Sequence, residues 1–355
     1  MQADSPPRPS ALAGLSPACF ALVMATGIVS LAARLQGLAA VAWGLFGLNI
    51  AAWLVLCGLS LLRVARHPRL VLADLSDHLR GPGFFTAIAA TAVLASQFIL
   101  FGMSHAVAMA LGALAAVLWL LFTYAIFTAF TIKQDKPPLD KGISGAWLLA
   151  VVATQSLAVL AAVLARDLPQ PWKLPLNFFA LSMWLWGGML YTWMISLIFY
   201  RYTFFAFAAG DLTPPYWINM GAMAISTLAG SLLIGDAPDA PFLQALLPFL
   251  KGFTVLYWAT GTWWIPMLLV LAAWRYLYQR FPLRYDPLYW GAVFPLGMYS
   301  VSTDAMTRAL GLDFLGGVAP AFFYASLAAW AAALIGLLRR LLRLRREAGC
   351  GWVTG

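Results

Sequence analysis

Few side chains in this sequence are equipped for chemistry, and those few are scattered. Cys19, Cys57 and Cys350 lie far apart with no C-x-x-C pair, and His67, His78 and His105 fall in or beside expected loops, so an intramembrane zinc or haem site is not expected. No nucleophile, metal set or pair of acids clusters, which predicts that the chain is not an enzyme and uses no cofactor. Asp304 and Arg308 are spaced i, i+4, which puts them on one helical face. The plain reading is a local ion pair near a membrane surface; the sharper one is a role in substrate entry. The stretch WGAVFPLGMYSVST carries Phe294 directly before Pro295. A proline inside a helix frees a backbone carbonyl and breaks the rod, which a membrane tolerates only where protein or water satisfies the freed group. An aromatic ring beside such a break at mid-depth either plugs a narrow passage with its apolar body or packs in a bundle core.

The elements that must position these residues follow from composition. The 355 residues are 63% hydrophobic and 10% charged, with a mean hydropathy of +0.83, whereas soluble domains run near ~45–50% apolar and ~25% charged. Lipid is therefore the solvent, and no polar stretch is long enough for a soluble catalytic domain. Apolar runs predict ten spans at 13–33, 39–62, 83–102, 106–131, 144–165, 177–200, 214–234, 247–274, 288–310 and 318–338, each close to the ~20 residues a crossing needs. They must be helices, because lipid satisfies no backbone N–H or C=O and the runs are too long for barrel strands.

The 22 lysines and arginines orient the spans. One side receives Arg8, the group Arg63, Arg66, Arg69 and Arg80, and the group Lys133, Lys136 and Lys141. It also receives Arg201, then Arg275, Arg280 and Arg284, and finally Arg339, Arg340, Arg343, Arg345 and Arg346. The other side holds only Arg34, Arg166, Lys173, Lys251 and Arg308. The positive-inside rule makes both termini cytoplasmic, in an inner (plasma) membrane, and an even number of spans agrees. The formal charge of +9 is thereby explained by insertion, and nucleic acid is not an expected partner. The organisation predicted is a cytoplasmic segment 1–12, a ten-helix domain 13–338 and a basic cytoplasmic tail 339–355. The sixteen tryptophans suit interfacial anchoring.

Odd and even spans differ. Odd spans mostly begin near proline (Pro17, Pro82, Pro214 with Pro215, Pro287) and hold most of the intramembrane Ser, Thr, Asn and Gln, while even spans are greasier. This parity predicts an all-α membrane protein of five hairpins, with odd helices as an inner ring around a pore and even helices as an outer, lipid-facing ring. Five helix N-termini at one mouth would attract anions, and a hydroxyl-lined, nearly uncharged interior suits passage better than tight binding. Small and hydroxyl residues also serve helix–helix packing, which is the competing reading for any one of them.

Three stretches, FALVMATGIVS (Phe20 to Ser30), PPYWINMGAMAI (Pro214 to Ile225) and VFPLGMYSVST (Val293 to Thr303), together resemble the tellurite-resistance/dicarboxylate transporter family. That family includes slow-type plant anion channels, fungal malate permeases and sulfite exporters. The resemblance implies a homotrimer with one pore per subunit and a pore-blocking phenylalanine on the ninth helix, a role it carries onto Phe294. It also implies a pore lined by Gly27, Thr91, Thr154, Gly221 and Ser300, with Pro295 beside the gate. The function implied is transport of an anion, either a C4-dicarboxylate such as malate or a small inorganic ion, with a proton-coupled carrier of dicarboxylate or sulfite as the alternative. The chain departs from the plant channels in lacking their long termini and in the stretch around Thr303-Asp304.

Overall fold

The long apolar runs fold as helices, and the computed structural model describes residues 12–283 and 285–350 of them and their connections. Arg8, Arg284, Arg345, Arg346 and the outermost residues of both termini lie outside the described backbone or side chains. The helices are α1 (Ala21–Leu35), α2 (Ala39–Arg66), α3 (Phe85–Leu100), α4 (His105–Ile132), α5 (Leu149–Asp167), α6 (Lys173–Phe204), α7 (Ile218–Asp236), α8 (Leu247–Ala273), α9 (Trp290–Leu310) and α10 (Val318–Cys350). Among the described residues, nine helical segments are long and apolar enough to cross a membrane. The helix missing from those nine is α9, which has 21 residues but carries Ser300, Ser302, Thr303, Asp304, Thr307 and Arg308. Apolarity alone therefore does not mark it; Ser300, Ser302 and Thr303 are buried against protein, and Asp304 and Arg308 pair with each other.

The packing sorts the helices by parity. α1, α3, α5, α7 and α9 each pack against the next, and α9 packs back on α1 to close a ring. Each even helix packs on the odd helix of its own hairpin. The most apolar stretches of α1, α3, α5 and α7 are 72%, 72%, 94% and 89% buried, against 17%, 28%, 44%, 22% and 17% for the even helices. The surfaces left exposed on the even helices are leucine, valine, tryptophan and phenylalanine, as a lipid solvent requires.

All five odd helices begin alike. Each is preceded by a 3-10 turn: Pro17–Phe20, Gly81–Phe84, Gly145–Leu148, Pro214–Trp217 and Pro287–Tyr289. Proline fits a first turn because its missing N–H has no acceptor there in any case. Ser16, Ser144 and Asp286 cap three of the turns by accepting from Ala18, Ala146 and Leu288 N–H. The third turn thus reaches the same geometry with glycine and a serine cap where the others use proline.

Five of the sixteen tryptophans serve as ties between the helices. Trp53 of α2 donates its indole N–H to Thr91 Oγ1 of α3 (3.0 Å), and Trp119 of α4 to Thr154 Oγ1 of α5 (2.9 Å). Trp184 of α6 donates to the Ser226 carbonyl of α7 (2.8 Å), and Trp258 of α8 to Thr303 Oγ1 of α9 (3.0 Å). Trp330 of α10 closes the series on Thr26 Oγ1 of α1 (3.0 Å). Every outer helix is therefore tied to the inner helix of the next hairpin, with five tryptophans buried or half-buried between the rings. Each such bond contributes roughly 0.5–1.5 kcal/mol.

Candidate functional site

The tryptophan ties fix which side of each inner helix faces outward. Thr26, Thr91, Thr154 and Thr303 point toward outer helices. At about 100° per residue, two positions back is roughly half a turn, so Met24, Ala89 and Val152 lie on the opposite, interior sides of α1, α3 and α5. Phe294 lies nine positions before Thr303, also about half a turn away, and so shares the interior side of α9. Each of these four stands seven or eight residues past the start of its 3-10 turn, which sets them at one level. At that level α7 presents Gly221 and Ala222. Met24 and Phe294 are 1% exposed and Ala89, Val152 and Ala222 are 0% exposed. The ring is closed there to anything the size of water, and the closing groups are apolar.

The residues expected to line a pore divide around this level. Phe294 and Pro295 are both buried inside α9. A Cβ at Gly221 would come within 2.7 Å of Pro295 Cγ, so only glycine lets α7 lie against the break in α9. Thr91 and Thr154 face away from the interior; each accepts from its tryptophan and donates to the carbonyl of Ala87 or Ala150. Ser300 donates to the Ala319 carbonyl of α10 (2.6 Å). A Cβ at Gly27 would sit 2.6 Å from Val93 and 2.8 Å from Asn49 Nδ2, in a packed contact with α3 and α2. Other hydroxyls do lie along the inner helices. Ser96, Ser156, Thr227 and Ser231 donate only to the carbonyl one turn back on their own helix, and Ser156 lies on the same side of α5 as Val152, one turn further along.

Asp304 and Arg308 form the ion pair that their spacing predicts (2.7 Å), with Arg308 exposed. Three arginines assigned to loops by charge counting are instead buried: Arg63, Arg201 and Arg275 are 5%, 7% and 7% exposed. Arg63 pairs with Asp74 (2.6 Å), which also binds Arg80. Arg201 donates to the Ile143 carbonyl and to the Tyr216 hydroxyl, with Asp211 3.7 Å away. The signal for the last two was local: Arg201 lies between Tyr200 and Tyr202, and Arg275 between Trp274 and Tyr276. Flanking rings on a helix end can shelter a guanidinium from water.

A closed ring of buried helices inside a ring of lipid-facing ones defines a multi-pass, all-helical membrane protein. Residues 14–338 match the voltage-dependent anion channel family, SLAC1, and the chain belongs to that family. Two uncharacterized transporters of Methanocaldococcus jannaschii, MJ0762 and MJ0576, are 23% and 25% identical over 91% and 90% of this chain and 93% and 91% of their own lengths. An uncharacterized membrane protein of Mycobacterium tuberculosis, Rv1735c, is 36% identical over 43% of this chain and 77% of its own length. Membrane transport of anions is accordingly the general activity of this chain.

Proposed function

We propose that this chain moves small anions, C4-dicarboxylates such as malate or small inorganic ions, through the interior of the five-helix ring, with Phe294 as the gate. The observation that carries this reading is the apolar level at Phe294, where the interior-facing residues of all five inner helices are closed to water. A closed apolar constriction blocks ions by refusing them any replacement for their hydration. The 3-10 turns gather five helix starts at one end of the ring, and their unpaired N–H groups and dipoles favour anions there. Beyond the gate, Ser156 offers polar contact at the expense of one weak backbone bond.

In this reading α9 is a membrane span like the other nine helices, Gly221 and Pro295 seat the gate, and Gly27, Thr91, Thr154 and Ser300 hold the two rings together. The chain sits in the inner (plasma) membrane with both termini cytoplasmic and assembles as a homotrimer with one pore per subunit. The test is anion flux into proteoliposomes containing the full chain. Phe294→Ala is expected to raise flux at least about tenfold, equivalent to lowering a barrier by ~1.4 kcal/mol. Unchanged flux in a variant that unfolds at the wild-type temperature would remove Phe294 from the gate. Uphill accumulation driven by a pH gradient would replace the channel with a proton-coupled carrier.

A further inference from the structure

Off the axis of the ring, at the end where the inner helices begin, α7, α8 and α9 enclose a second feature. The entry turn of α7, the end of α8 and the start of α9 surround a cavity of about 120 Å³. Thr213, Tyr216, Tyr276, Tyr289 and Arg275 bring hydroxyls and a guanidinium to its lining. Arg275 belongs to the π-helical turn Trp274–Tyr278 that finishes α8, and it is 7% exposed. Its guanidinium carbon lies 4.2 Å from the Phe281 ring centroid and 5.2 Å from that of Tyr276. With rings against its faces, the cation has only its N–H edges left for polar partners. Nε is buried without an acceptor, and among the described residues no carboxylate lies within ion-pair distance of Arg275. The nearby acid, Asp286, accepts from the Leu288 N–H (2.8 Å).

A guanidinium withdrawn from water with no counter-charge is unfavourable unless something negative joins it. Around it stand hydroxyls, two helix starts and the last turn of its own helix, whose carbonyl end offers a partial charge but no ion pair. The Tyr276 and Tyr289 hydroxyls share one hydrogen bond (2.8 Å), so one of the two has its proton free to turn inward. We propose that this cavity is a binding site for a small monovalent oxyanion, held on the edge of Arg275 and by the hydroxyls of Thr213 and of the Tyr276–Tyr289 pair. The cavity has room for a carboxylate, nitrate or bicarbonate group of about four heavy atoms beside the guanidinium edge. The planar fork of arginine favours two parallel bonds to such a group over contact with a spherical ion. Because the site lies between two inner helices and an outer one, it is separate from the conduit and from Phe294.

The experiment is thermal unfolding of the purified full chain, titrated with nitrate or formate at ionic strength held constant with chloride, a spherical ion that cannot use both arms of the guanidinium fork. A saturable rise in Tm is expected. Arg275→Gln should weaken it at least about tenfold, and Arg275→Lys should fall between, keeping the charge but losing the fork. Arg308→Gln, which removes an exposed cation, should leave the titration unchanged. If Arg275→Gln does not fold, Thr213→Val and Tyr289→Phe serve in its place, each expected to weaken binding about threefold or more. No saturable shift in the wild-type chain, or the same shift in wild type and a folded Arg275→Gln, overturns the site. Proteoliposome flux is read in parallel: binding absent with flux intact removes this site alone, and flux absent with binding intact removes the transport reading alone.

Discussion

The first three inner helices and the last two are built on one plan and depart from each other at one place. In α1, α3 and α5 a threonine follows the interior-facing Met24, Ala89 or Val152 by two residues and takes the indole of the preceding outer helix. The endings MAT, AAT and VAT repeat in sequence as well as in space. In α7 the tryptophan bonds a backbone carbonyl instead, and in α9 the tied threonine lies more than two turns beyond the interior residue. The same two helices hold Gly221 against Pro295, the bulky Phe294 at the constriction and the unpaired Arg275 beside their starts. Three hairpins therefore share one pattern, with aliphatic Met24, Ala89 and Val152 facing inward, and the departures from it gather in the other two.

The largest expected effect tests that division directly. In a Phe294→Ala background, adding Val152→Phe places a ring at the same level from one of those three hairpins. Anion flux should fall by about tenfold or more from that of the single variant. A double variant as open as Phe294→Ala would mean that Val152 and Phe294 do not share a level.

Gly221→Ala comes next. The new methyl would meet Pro295 ring atoms at 2.7 and 2.9 Å, and a proline ring has little room to yield. A loss of ~1–3 kcal/mol is expected, read as a lower Tm together with altered flux. Gly252→Ala on α8 has nothing within 4 Å of the added carbon and should be neutral or slightly stabilising. Equal effects at the two positions would erase what sets the gate apart.

Removing a tie should matter less. Trp53→Phe and Trp330→Phe each delete one indole N–H at a half-buried position, with an expected cost of about 1 kcal/mol. Tm should drop by a few degrees, while flux stays near wild type. Flux rising as far as in Phe294→Ala would show that the outer ring, too, sets the conduit.

The smallest effect concerns His78, in the connection between α2 and α3. Burial, and then the Lys133 ammonium, push its imidazole below the ordinary value of 6.5, and its ring stacks on Phe130 at 4.3 Å. A base whose folded pKa is lowered binds fewer protons folded than unfolded at intermediate pH. Its contribution is therefore complete above about 6.5 and is lost as pH falls through the lower, folded value. His78→Gln should flatten the fall in Tm between about pH 6.5 and 5 relative to wild type.

The all-helical membrane fold was legible because lipid leaves no alternative: an apolar run of that length has to be a helix. The parity of the helices showed through Pro17, Pro82, Pro214 and Pro287, since a helix start imposes the same local demand wherever it occurs. The orientation of single side chains was not legible. Thr91 and Thr154 read as lining, yet one position along a helix turns a side chain by about 100°, and only the placement of Trp53 and Trp119 decides which way a threonine points. Arg201 and Arg275 were hidden for a related reason. Charge counting places any arginine near a span end at the surface, whereas the chain just beyond each helix turns back to lay Phe207 and Phe281 on these two, a fold-back that the flanking rings alone do not specify.

The bond from Trp330 to Thr26 joins the last helix to the first. During synthesis Thr26 enters the bilayer some three hundred residues before its indole partner exists, so the earliest hairpin waits with one flank uncovered until the fifth hairpin has been made. Assembly is then a matter of insertion followed by late circular locking, and severing the loop between any two hairpins while joining the old ends by a linker should yield a chain that still inserts and locks.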